Sequence, residues 1–104
     1  MSDNILLERE QEELLVTLAR AQQSVPRHER QKFVVLEFTG DGGSEHALLH
    51  DGLPEGMPRP YFGDIETLAR QGLISLAHVD QHKWEFDVTP KGLLYAERVT
   101  QRQK

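Results

Sequence analysis

The chain has 104 residues, 38% of them hydrophobic, and 17 acidic side chains against 12 Lys and Arg, for a net charge of −5. That size suits one domain with a modest core, and the negative balance argues against indiscriminate nucleic-acid binding, which needs a basic field. Cysteine is absent, which excludes disulfides, a thiol nucleophile and a zinc-finger site and suits the cytoplasm. No apolar run approaches a bilayer span of about 18 residues, and the start Met1-Ser2-Asp3-Asn4 lacks the basic flank of a secretory signal.

Residues 1–25 read as an N-terminal helix. From Asn4 to Ser24 there is no glycine or proline, and Leu, Glu, Gln, Arg and Ala predominate. Ser2, Asp3 or Asn4 can cap it, Glu8 and Glu10 complement its positive end, and Pro26 stops it. Leu7, Leu14, Leu15, Leu18, Ala21 and Val25 form an apolar stripe. Its second half is expected to pack on the domain's own core. Ile5, Leu6, Leu7 and Leu14 lie early enough to overhang a small domain and pair with a second copy as a homodimer, and the seven-residue spacing of Leu7, Leu14 and Ala21 suits such a seam.

The next window, Arg27-His28-Glu29-Arg30-Gln31-Lys32, is the most basic of the chain. It reads as a solvated connector, with a phosphate-contacting strip as the functional alternative. Residues 33–50 then give a β-hairpin signal. Phe33 to Thr39 is β-branched and aromatic, Gly40-Asp41-Gly42-Gly43-Ser44 makes a loop of four or five residues, and Glu45 to His50 returns. A short helix within 45–53 is the open alternative. The glycine loop lacks the lysine and following helix of a phosphate-binding loop. A proline-rich stretch, residues 51–60, leads on.

Residues 60–99 organise the rest. Ile65, Leu68, Ala69 and Gly72 share one face of a helical period, and Gly72 suits the left-handed position past a helix end, with Leu73 folding back. Ile74 to Val79 and Trp84 to Val88 alternate every second residue as half-buried strands do, around the polar tip Asp80-Gln81-His82-Lys83. Thr89 before Pro90 is a strong helix start. In the closing helix Leu93, Ala96 and Glu97 or Thr100 carry the period, with Leu94 and Val99 flanking. Leu68, Leu73, Ile74, Trp84, Phe86 and Leu93 are expected to form one buried cluster.

Leu68-x3-Gly72-Leu73-Ile74, a strand pair, and Phe86-x-Val88-Thr89-x-Lys91-Gly92 resemble the winged helix-turn-helix superfamily and are similar to the pattern of MarR- and PadR-type regulators. The resemblance covers roughly forty residues. It implies an α+β fold over residues 1–104, a winged helix with a long N-terminal helix and an extra β-hairpin before the recognition-type helix. In that superfamily the helix at 65–71 is the recognition helix and the strand pair is the wing. This chain departs from the pattern where a hairpin and a proline-rich loop replace the usual second helix.

No catalytic constellation emerges. His46 and His50 are four residues apart, which on a strand separates them by about 13 Å, and the same holds for His78 and His82. No Ser-His-Asp or paired-acid spacing is present. The reading is therefore not an enzyme, with no cofactor and no metal. Two functions from different classes remain. The first is a winged-helix DNA-binding regulator acting as a dimer, with Thr67, Arg70 and Gln71 facing the groove, His82 and Lys83 at the wing, and Arg59 on a phosphate. The alternative is a winged-helix module that binds another protein and no nucleic acid, favoured by the net charge and by Asp64 and Glu66 on the helix.

Overall fold

Strand β1 (Phe33–Gly40) is central to an antiparallel sheet of order β2-β1-β4-β3, with β2 at Gly43–Leu49, β3 at Ile74–Asp80 and β4 at Lys83–Val88. This architecture comes from a computed structural model that describes residues 7–29, 31–57 and 60–102. Ile5, Leu6 and Arg59 lie outside them. Helices α1 (Arg9–Ser24), α2 (Phe62–Arg70) and α3 (Pro90–Arg102) complete an α+β domain.

Alternation along the strands sorts two faces. Phe33, Val35, Ile74, Phe86 and Val88 turn inward and are buried with Leu15, Leu18, Ile65, Leu68, Leu73, Ala96 and Val99 in one core. All three helices contribute to that core, so they form a single layer on this face. Four members of the expected cluster, Leu68, Leu73, Ile74 and Phe86, are buried, whereas Trp84 and Leu93 are only partly so. Helix α3 is rotated from its expected phase: Gly92, Ala96 and Val99 face inward and Leu94 is exposed. The cause is local crowding. A Cβ at Gly92 would lie 2.0 Å from the Leu73 carbonyl oxygen, so the glycine admits the backbone of the preceding loop and sets the helix phase.

The terminators follow local chemistry. Gly72 has φ +76°, its N–H donates to the Ala69 carbonyl, and the Leu73 N–H donates to the Leu68 carbonyl, which is a Schellman closure. The Thr89 hydroxyl accepts from the Gly92 N–H at 3.1 Å and donates to the Gly72 carbonyl at 2.7 Å, tying the two helix ends together. At the other end the expected start is corrected. Helix α1 begins at Arg9 with Glu8 as the N-cap, whose N–H donates to Gln11 Oε1 at 3.0 Å, and the expected caps Ser2, Asp3 and Asn4 lie outside the described residues.

The β1–β2 loop is two residues, Asp41-Gly42, since Gly40 pairs with Gly43. The open alternative at 45–53 resolves as strand through Leu49. The β3–β4 connection is likewise short, because Asp80 pairs with Lys83, and the register slips between His78 and Asp80.

Gln22 is the buried polar side chain among the described residues. Its amide acts as an extra strand residue: Nε2 donates to the Val88 carbonyl at 3.1 Å and Oε1 accepts from the Val88 N–H at 2.8 Å. Helix α1 is thereby pinned to the end of β4.

Candidate interaction surface

The outward positions of β1 are Val34, Leu36 and Phe38, which alternate with the buried Phe33 and Val35. On β2 their partners are Leu49, Ala47 and Glu45, and on β4 Glu85 and Lys83 stand opposite Val34 and Leu36. Among the described residues no helix covers this face, for α1, α2 and α3 lie on the other. Phe38 is 52% exposed and Leu49 49% exposed. The result is an apolar stripe two strands wide, exposed at Phe38 and Leu49 and half-buried at Val34, Leu36 and Ala47, bordered on β4 by Lys83, Glu85 and Asp87.

At the far end of the inner face an aromatic stack, anchored by Phe62 at the start of α2, closes the layer. His46 stacks on Phe62 with ring centroids 4.5 Å apart, Phe62 meets Trp84 at 4.8 Å, and His78 stacks on Trp84 at 4.9 Å. Glu37 lies between two imidazoles, with His82 Nδ1 at 2.9 Å and His46 Nε2 at 3.5 Å. The Glu37 N–H also donates to the His82 carbonyl. These groups hold the β3–β4 turn against β1. His50 has a separate structural place. It stacks on Phe33 at 4.1 Å, its Nδ1 accepts from the Gly52 N–H, and its Nε2 meets the Gln31 carbonyl. Among the described residues no group of three His, Asp or Glu has a metal-binding arrangement.

The expected DNA contacts do not converge. The Thr67 hydroxyl donates to the Gly63 carbonyl at 2.9 Å and accepts from Arg70 Nη2 at 3.3 Å, so it is engaged within its own helix. Arg70 is exposed beside Glu66, and Gln71 is the half-buried C-cap. Asp64 accepts from Gln11 Nε2 at 3.1 Å, which ties α2 to α1. The His82 ring is held by Glu37. Lys83 precedes the inward Trp84, so alternation puts it on the outer face, whereas α2 lies on the inner one. Arg70 and Lys83 therefore sit on opposite sides of the sheet. No second helix pairs with α2 among the residues between β2 and α2 that are described.

The described part of the expected dimer seam is spent inside the chain. Leu14 is 8% exposed in the core, and Leu7 packs against it. No helix among the described residues is long and apolar enough to cross a membrane.

Sequence reasoning missed the outer stripe and the pairing of Glu37 with His82. The first had a signal in plain view: Phe33-Val34-Val35-Leu36 is apolar at every position, the pattern of a strand covered on both faces. The second had none. No protein-family model matches this sequence, and no curated protein or solved structure does. What the described residues define is a class of architecture: three α-helices on one face of a four-stranded antiparallel sheet, with no described helix on the other.

Proposed function

We propose that this domain is a protein-interaction module of winged-helix type that uses the outer face of its sheet. The carrying observation is the stripe Val34, Leu36, Phe38, Ala47 and Leu49, apolar at positions where a solvated sheet face carries polar residues. A contiguous exposed apolar surface rimmed by charge is the usual mark of a protein contact. The order α2, β3, β4, α3, with its Gly72 closure and Thr89 cap, supports the winged-helix resemblance. The open position of the stripe supports the choice of face.

A photo-crosslinking amino acid at position 38, with Arg98 as an exposed control position, tests the assignment in cells. Adducts at 38 and none at 98 are expected. Equal yields at both positions would sink it.

DNA binding is the second reading, favoured by the exposed Arg70 at the end of α2. Fluorescence anisotropy with mixed-sequence duplexes decides it. The interaction reading expects no binding at low salt, whereas a regulator reading through Arg70 expects binding that Arg70→Ala weakens and that falls with salt by a slope of about 0.9 per phosphate contact.

A further inference from the structure

We infer that the outer stripe receives an amphipathic helix of a partner protein, with Lys and Arg flanking the helix's apolar face. This rests on the outer-face reading above and adds the partner's chemistry.

Dimensions come first. Val34 to Phe38 spans about 13 Å along β1 at the usual rise per residue, and two adjacent strands with their side chains are about 10 Å wide. One helix with side chains measures about 10–12 Å across. The stripe is thus one helix wide, too narrow for a second sheet to cover with its own apolar face. Helix anchors at i, i+3, i+4 and i+7 match outward residues that recur at roughly 7 Å along a strand.

Charge selects the kind of helix. The row on β4 is Lys83, Glu85 and Asp87, and Glu45 stands opposite Phe38 on β2. The margins thus hold three carboxylates and one ammonium. A second copy laid face to face would set acidic margins against each other, and the chain's net charge of −5 adds to that repulsion. A basic-flanked helix finds Glu85 and Asp87 along the β4 side of its apolar seat.

The probes are two synthetic helical peptides with the same leucine face, one flanked by lysines and one by glutamates, titrated into isotope-labelled full-length chain while amide shifts are read. The lysine peptide is expected to move the amides of residues 34–38 and 45–49. It should bind about tenfold tighter than the glutamate peptide at low salt, the effect of two or three exposed ion pairs. Glu85→Lys with Asp87→Lys should erase that preference, and Phe38→Glu or Leu49→Glu should remove binding of both peptides. Thermal unfolding of each variant separates lost binding from lost folding. Equal affinity for the two peptides, shifts centred on the exposed Leu94 of α3, or no binding of either peptide overturns the inference. If crosslinks still concentrate at position 38 in any of those cases, the outer-face reading survives and only the partner's chemistry is wrong. If they do not, the surface itself is misassigned.

Discussion

The two faces of β1 carry side chains of the same kind and meet opposite surroundings. Phe33 and Val35 are fully buried, and Phe33 stacks on Phe86 with centroids 4.9 Å apart, under the helix layer. Val34, Leu36 and Phe38, one residue out of step, have no helix over them among the described residues and pair with Leu49, Ala47 and Glu45 across the strand. Hydrophobicity of a side chain therefore does not decide its burial here. The placement of the layer does. The covered face supplies stability, and the other face keeps apolar area at Phe38 and Leu49 exposed.

The largest expected contrast is between equivalent truncations on the two faces. Phe33→Ala should cost about 3–5 kcal/mol, because it removes a fully packed ring and leaves a cavity. Phe38→Ala should stay within about 0.5 kcal/mol, as for a surface substitution. Urea midpoints of both variants measure the difference, and similar losses would show that the outer face is covered in the folded chain.

A smaller effect tests the polar seam on the covered side. Gln22→Leu keeps the side chain's approximate volume yet strips the Val88 N–H and carbonyl of their partners. It should cost about 1–3 kcal/mol, the penalty of buried unpaired groups. An unchanged midpoint would mean that water satisfies Val88 and that α1 is not pinned there.

The smallest effect is a pH dependence on the rim of the helix layer. The Tyr95 hydroxyl is held above its usual range by burial and then by the neighbouring Glu12 carboxylate, to which it donates a hydrogen bond at 3.3 Å. Because its pKa is raised on folding, its contribution is complete below about pH 10, the ordinary tyrosine value, and is lost as pH rises through the folded value. Tyr95→Phe should make the alkaline fall in stability shallower. Urea midpoints compared on either side of about pH 10 report it, and parallel curves would refute it.

What could be read from the chain alone were elements whose causes lie within a few residues. The glycine closure at Gly72, the Thr89-Pro90 start and the alternation of Ile74 to Val79 each act over less than two turns or one strand, so composition and spacing carry them. The start of α1 at Arg9, capped by Glu8, was equally local, but a glutamate is a weak capping signal beside Ser2, Asp3 and Asn4. Other features belong to the tertiary structure. Gln22 meets Val88 across 66 positions and Glu37 meets His82 across 45, and such separations leave no periodic trace in a sequence. The phase of α3 depends on where the Leu73 carbonyl passes over Gly92. The same holds for the candidate surface. A strand apolar on both faces has no period that names its inner side. Only the arrival of α1, α2 and α3 on one side made the other side a surface.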